Sequence, residues 1–147
     1  MARKYNRRGF TLVEMLVVIA IIAILVSIVI PVVGESSRKA KAATDGANLR
    51  SVLMALNTEI MLGYDTAETY IAAMEPQPSK TFPGAELHVV YCIPGLIDVY
   101  YVDGGNYYGL DYFAAIAGGE DEIPDPTHRT YPPESVWYEV GVGEITD

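Results

Sequence analysis

One carboxylate stands inside the longest apolar segment of the sequence. From Leu12 to Val33 every residue is apolar or small except Glu14. A charged side chain within a membrane-spanning helix costs on the order of 2.5 kcal/mol or more, so it needs a partner. Residues 10–37 contain no lysine or arginine that could supply one. This position predicts an ion pair with a group outside the segment, and the alternative is a hydrated carboxylate at the membrane surface.

The other residues capable of chemistry form no catalytic pattern. His88 and His128 are the two histidines, and their spacing matches no metalloprotease or nucleophile motif. Cys92 is the single cysteine, which excludes an intramolecular disulfide. Its apolar neighbours predict a buried small hydrophobe rather than a reactive thiol. The sequence therefore predicts that the chain is not an enzyme and needs no cofactor.

An acidic, proline-rich loop at residues 118–133 is a candidate for calcium binding. Its carboxylates include Glu120, Asp121, Glu122 and Asp125. Hard cations take carboxylate oxygens, but this spacing matches no calcium-ligand pattern. A solvated loop is the favoured interpretation, and calcium binding is the alternative.

Charge is distributed unevenly along the chain. Beyond residue 50 there are sixteen acidic residues and two basic ones. Residues 1–9 hold no acid and carry Arg3, Lys4, Arg7 and Arg8. A basic flank before a long apolar segment stays in the cytoplasm, so the C-terminal part is expected on the outer side. The negative field of that part disfavours contact with phosphate backbones, so nucleic acid is not an expected partner of this acidic part of the chain.

Helical patterns dominate the first sixty residues. Residues 10–33 are predicted to form a hydrophobic transmembrane helix, since roughly 24 residues at about 1.5 Å each exceed a hydrocarbon core of about 30 Å. Residues 34–63 are predicted to continue it as an amphipathic helix. Its apolar stripe recurs every three or four positions, at Ala42, Gly46, Leu49, Leu53, Leu56 and Ile60. The four bulky members, from Leu49 onward, are assigned to packing against a sheet.

The opposite face of the amphipathic segment is predicted to be polar. It carries Lys41, Asp45, Asn48 and Glu59. Gly63 is the predicted end of this helix, because glycine favours helix C-termini.

Residues 64–147 are predicted to form a small acidic α+β head. Asp65 and Thr66 could cap a short helix that extends to Met74, and two prolines make residues 75–78 a loop. Strands are predicted at Leu87–Ile93, Ile97–Val102, Tyr107–Tyr108 and Val136–Val142. Eight of the eleven tyrosines fall in residues 91–138, where they suit half-buried strands, and an exposed adhesive face is the alternative.

The residues that open the apolar segment are Arg7-Arg8-Gly9-Phe10-Thr11-Leu12-Val13-Glu14. They resemble the type IV filament family, which comprises the pilins and the pseudopilins of type II secretion and DNA-uptake systems. The family pattern is a basic leader ending in Gly, then Phe, then Thr-Leu-hydrophobic-Glu, then an apolar helix. The sequence matches each of these positions, and the resemblance covers residues 1 to about 60. An ordinary secretory signal fits less well, because its apolar region has about 7–15 residues.

The resemblance implies how the N-terminus is processed and used. Residues 1–9 would be a leader that a prepilin peptidase removes between Gly9 and Phe10. The new N-terminal Phe10 would be N-methylated, and Glu14 of an incoming subunit would attract the Phe10 amine of its neighbour. Pro31 would accompany a bend or unwound segment that lets a filament stretch, and the alternative is that it only marks the membrane exit.

The expected fold is α+β and type IV pilin-like, with a long N-terminal helix packed on a small antiparallel β-sheet head. The resemblance implies a structural subunit of a type IV pilus or pilus-like filament. The precursor would be a single-pass protein of the cytoplasmic (inner) membrane with a cytoplasmic N-terminus, and the product an extracellular filament. Its partners would be copies of itself, the prepilin peptidase, and a membrane platform with its assembly machinery.

Two other interpretations stay open at this point. The chain could be a pseudopilin of a type II secretion or DNA-uptake system, and its single cysteine departs from the many pilins that close the C-terminal region with a disulfide. It could also be a single-pass anchored receptor or enzyme head, although the head shows no site for such a role.

Overall fold

The computed structural model describes residues 10–61, 67–92, 96–126 and 135–145. Three helices and five strands lie within these ranges. The chain divides into two compact units, Met1–Ser36 and Ser37–Asp147. The leader with Gly9, the predicted helix end at Gly63, the predicted cap at residues 65–66, and His128 lie outside the described residues.

Helix α1 is the longest element and spans Leu12–Met61, 50 residues in all. It contains both predicted helical segments, and it continues through Pro31. Residues 10–36, the described part of the first unit, are all exposed. By length and composition, α1 is the one helix in the described chain that is long and apolar enough to cross a membrane.

The second unit contains a five-stranded sheet with the order β3-β2-β1-β4-β5. The strands are β1 (Glu86–Cys92), β2 (Leu96–Asp103), β3 (Asn106–Tyr108), β4 (Val136–Glu139) and β5 (Gly143–Ile145). All neighbouring strands are antiparallel. The predicted α+β class with a small antiparallel sheet is confirmed.

The predicted last strand, Val136–Val142, is wrong in its extent. Strand β4 ends at Glu139, and residues 140–142 form a turn that leads into β5. Gly141 has a φ of 85°, in the left-handed region that glycine enters without steric cost. A Cβ at this position would lie 3.1 Å from Cδ of Pro76. The tight turn therefore depends on glycine, and it converts one expected strand into a hairpin.

Two short helices complete the second unit. Helix α2 spans Ala67–Ala73 and corresponds to the predicted short helix before the proline loop. Helix α3 spans Leu110–Gly118 and was not predicted. Its C-cap Gly119 has a φ of 74°, and the Gly119 N–H donates to the carbonyls of Ala115 and Ile116. This left-handed cap satisfies carbonyls that the helix end would otherwise leave unpaired.

The core of the second unit lies between the later part of α1 and one face of the sheet. Side chains of α1, β1, β2 and α3 contribute to it, among them Leu49, Leu56, Val89, Tyr101 and Phe113, each at most 1% exposed. The Tyr101 ring meets Phe113 edge-on, with ring centroids 5.9 Å apart. This arrangement suits the quadrupoles of the two rings, and it anchors α3 against the sheet.

Candidate functional site

Thr11 and Glu14 form a reciprocal cap at the start of α1. The Thr11 N–H donates to Glu14 Oε2 at 2.7 Å, and the Thr11 hydroxyl donates to the same oxygen at 2.8 Å. In return, the Glu14 N–H donates to Thr11 Oγ1 at 3.2 Å. This is a capping box, in which a threonine N-cap and a glutamate three residues later satisfy each other's free N–H groups. Its local signal in the sequence is the Thr-x-x-Glu spacing, and the box was not among the predictions.

The capping box fixes the position of the Glu14 carboxylate. Two donors from Thr11 hold it at the N-terminus of α1, where the helix dipole favours negative charge. Phe10 precedes the cap and is 77% exposed. An exposed anion is thus held one helical turn from the residue that would carry a new amino group after cleavage.

The apolar surface of the first unit has no packing partner among the described residues. Its large side chains between residues 12 and 33 are 45–81% exposed. Pro31, assigned to assembly, lies within this exposed helical surface. Its proposed bend stays a prediction, as does the role of Glu14. Such a long exposed apolar surface indicates contact with lipid or with other protein chains.

The predicted apolar stripe of α1 lies in the second compact unit of the chain. There it packs against the core of the head. Leu49 and Leu56 are buried in the core, at 0% and 1% exposure. Leu53 and Ile60 are half-buried and pack against the same core. Val52, at 3% exposure, is a core residue that the stripe omitted.

Asp45 is buried, and its predicted place on the polar outer face of α1 is wrong. Its exposure is 0%. Its carboxylate accepts hydrogen bonds from Ser79 Oγ at 2.8 Å, Lys80 N at 2.7 Å and Thr81 N at 2.8 Å. Hydrogen bonds to a carboxylate are strong, and three of them compensate for its loss of water. Asp45 therefore fastens the loop before β1 to the long helix.

The other three residues assigned to the polar face differ among themselves. Lys41 is exposed and Glu59 is half-buried. Asn48 is also half-buried, and its side-chain amide donates to the Tyr101 hydroxyl at 3.4 Å. That hydroxyl donates in turn to the Gln77 carbonyl at 2.8 Å.

Metal-ligating side chains come together at one place among the described residues. Ligand atoms of Glu86, His88 and Glu139 all lie within 4.8 Å of one another. The acids considered for calcium in the loop after α3 are exposed, and calcium binding there stays the untested alternative to a solvated loop. Cys92 is the last residue of β1.

The described residues of the head form several clefts. One of about 230 Å³ is lined by Leu53, Asp98, Val99, Tyr100, Gly109, Leu110 and Asp111. This lining holds two carboxylates and neither histidine nor cysteine.

Comparison with known protein families identifies the N-terminal region. Residues 4–30 match the family described as the prokaryotic N-terminal methylation motif. This motif is the class III leader of the type IV pilin and pseudopilin family. Searches of curated proteins and of solved structures find no match to the chain. The chain therefore carries the N-terminal signature of type IV pilin-like substrates of prepilin peptidase.

Proposed function

We propose that this chain is the precursor of a structural subunit of a type IV pilus or pilus-like filament. Prepilin peptidase would cleave it between Gly9 and Phe10, and the mature subunit would polymerise through its N-terminal helix. The observation that carries the proposal is the methylation motif at residues 4–30, placed directly at the start of an exposed apolar helix.

Membrane insertion before assembly follows from the same helix. The exposed side chains from Leu12 to Val33 need an apolar surrounding, and a bilayer supplies it. The basic residues before this segment would stay in the cytoplasm, which places the acidic head on the other side. Cleavage before the helix would keep the anchor in the mature protein.

Assembly would use the anion at the start of α1. Once Gly9 is removed, Phe10 carries a cationic amine. The Glu14 carboxylate, held by Thr11, would attract the amine of a neighbouring subunit. In apolar surroundings an unpaired carboxylate is costly, so the pairing would favour the subunit register in which the two groups meet.

A pseudopilin of a type II secretion or DNA-uptake system is the alternative. The single cysteine excludes the disulfide that closes the C-terminal region of many pilins, and it is compatible with a pseudopilin as well as with a pilin that lacks this bridge. Both roles share the processing and the assembly helix. They differ in where the filament ends, on the cell surface or in a secretion or uptake apparatus.

Mass spectrometry of the mature protein tests the proposal. The N-terminal peptide should begin at Phe10 and carry one methyl group. In the matched pair of variants, Gly9→Leu should leave the full precursor in the membrane, because a side chain would crowd the scissile bond. Gly34→Leu should be processed normally, since no atom lies within 4 Å of a Cβ at that exposed position. A mature N-terminus at Met1 or near Gly34 would refute the proposal.

A further inference from the structure

Three metal-ligating side chains share the outer face of the sheet. Glu86 and His88 are two residues apart on β1, so they project from the same face. Glu139 is the direct cross-strand partner of His88 on β4. Leu87 and Val89, which alternate with them, belong to the core on the opposite face. The ladder between the two strands therefore sets the spacing of all three side chains.

The distances among these groups are close to those of a metal site. His88 Nε2 lies 3.1 Å from Glu86 Oε2, and the three ligand atoms fall within 4.8 Å of one another. Four-coordinate zinc has ligand bonds of about 2.0–2.2 Å, which place neighbouring ligand atoms about 3.3–3.6 Å apart. Glu86 is exposed and Glu139 half-buried, so both carboxylates have the rotational freedom to close this gap.

The surroundings hold the histidine in place. His88 is 9% exposed, and its cross-strand neighbour on the other side is Tyr100. Tyr100 forms an apolar cluster on this face with Val90, Tyr107 and Trp137. A fixed imidazole beside an apolar wall is an environment that orients a metal ligand.

We propose that Glu86, His88 and Glu139 bind a divalent transition-metal ion of the zinc class. One imidazole nitrogen and two carboxylate oxygens form a donor set that suits zinc, whereas calcium takes oxygen ligands. Three protein ligands leave a fourth position for water. The ion would join β1 to β4 in a head that has no intramolecular disulfide, and the inference does not depend on the filament role.

Zinc titration of the full chain in detergent, without a metal-affinity tag and after treatment with a chelator, tests the site. Titration calorimetry should show one zinc ion bound per chain. A thermal melt should show that zinc raises the melting temperature of the chain. Trp137, the single tryptophan, lies two residues from Glu139 and should report binding by a change in fluorescence. Glu86→Gln and Glu139→Gln should each weaken zinc binding at least ten-fold, because a neutral amide is a poor ligand.

Two control variants exclude other sources of binding. Glu122→Gln removes an exposed carboxylate elsewhere, and Cys92→Ser removes the only thiol. Both should bind zinc as the unchanged chain does. The proposal is overturned if the chain shows no saturable zinc binding. It is equally overturned if Glu86→Gln and Glu139→Gln behave like Glu122→Gln, or if Cys92→Ser abolishes binding.

Discussion

The two parts of helix α1 differ in what surrounds their apolar side chains. Between residues 12 and 33, the large hydrophobic residues are all exposed. Between residues 42 and 56, Ala42, Leu49, Val52 and Leu56 are at most 3% exposed. The first part is apolar around its whole circumference, whereas the second is apolar on one side only.

This difference shows that the two parts of one continuous helix need different surroundings. A helix that is apolar all round has to be covered by lipid or by other chains, since a single sheet could cover only one of its sides. An amphipathic helix is stabilised by its own domain. Substitutions in the first part should therefore affect insertion and assembly, and substitutions in the second should affect the stability of the head.

Glu14 gives the largest expected effect, and it lies in the first part. Glu14→Gln should abolish filaments while the head keeps its melting temperature. Glutamine can complete a capping box as glutamate does, so the variant removes the charge and leaves the helix start capped. Thr11→Val is the matched control, because it removes the hydroxyl and keeps the carboxylate. It should still form filaments, with a loss of about 0.5–2 kcal/mol in capping.

Filament yield by electron microscopy and melting by circular dichroism measure these effects. Normal filaments from Glu14→Gln would show that the charge has no part in assembly. If Thr11→Val inserts into the membrane normally but forms no filaments, the cap and not the charge is required for assembly.

Leu49 in the second part should act on the head alone. Leu49→Ala should lower the free energy of unfolding by about 2–5 kcal/mol, because it leaves a cavity among fully buried side chains. Leu25→Ala makes the same chemical change at a side chain that is 57% exposed, and the stability of the head should not change. Leu53→Ala should cost less than Leu49→Ala, since Leu53 is half-buried. Urea unfolding followed by Trp137 fluorescence would rank the three variants, and equal effects at Leu49 and Leu25 would contradict the comparison.

Asp45 tests the polar contact between the second part of α1 and the head. Asp45→Asn should reduce stability by about 1.5–3 kcal/mol, because an amide cannot accept from all three donors with the strength of a carboxylate. Asp103→Asn, at an exposed position on β2, should have no measurable effect. Limited proteolysis should show faster cleavage in residues 79–82 of the Asp45 variant. Equal protease resistance in the two variants would mean that the loop is held by other contacts.

Tyr101 should give the smallest effect, a change in how the stability of the head depends on pH in the alkaline range. Burial raises the pKa of Tyr101, the hydrogen bond from Asn48 lowers it in part, and the charge of Asp45 raises it again. The folded head thus favours the protonated phenol. The resulting stabilisation is complete at pH values below the pKa of about 10 that tyrosine has in the unfolded chain. It is lost as pH rises through the higher pKa of the folded state.

Melting curves above pH 10 would detect this contribution. Tyr101→Phe should start lower, since it loses the hydrogen bond to Gln77, and should then fall less steeply with pH. Burial also raises the pKa of Tyr112, which is half-buried, so Tyr112→Phe should flatten the curve less. An identical slope in Tyr101→Phe and the unchanged chain would contradict the assignment.

Local patterns in the sequence were sufficient to predict α1 and the β1–β2–β3 meander. A repeat of three or four residues, or alternation between turn residues, depends only on neighbours in the chain. Helix α3 also had a local signal that was missed. Leu110, Phe113 and Ile116 recur every three residues, and Gly119 closes the pattern as a C-cap.

The burial of Asp45 and the cluster of Glu86, His88 and Glu139 could not be predicted from such local patterns. The donors to Asp45 lie 34–36 residues further along the chain. His88 meets Glu139 only through the register between β1 and β4. A polar residue on a helix gives no sign of partners that the tertiary fold will bring to it. The predicted polar face of α1 was therefore wrong at Asp45, where the loop before β1 covers the helix.

The short strands at the edges of the sheet affect how closely neighbouring heads can be placed. The strands at its two edges, β3 and β5, have three residues each in the described chain. An edge strand exposes unpaired N–H and C=O groups that can template pairing with another molecule, and short edges limit this risk. A filament would hold many identical heads at very high local concentration. With so little free edge among the described residues, and with sixteen acidic residues against two basic ones beyond residue 50, neighbouring heads could stand side by side without merging their sheets into an aggregate.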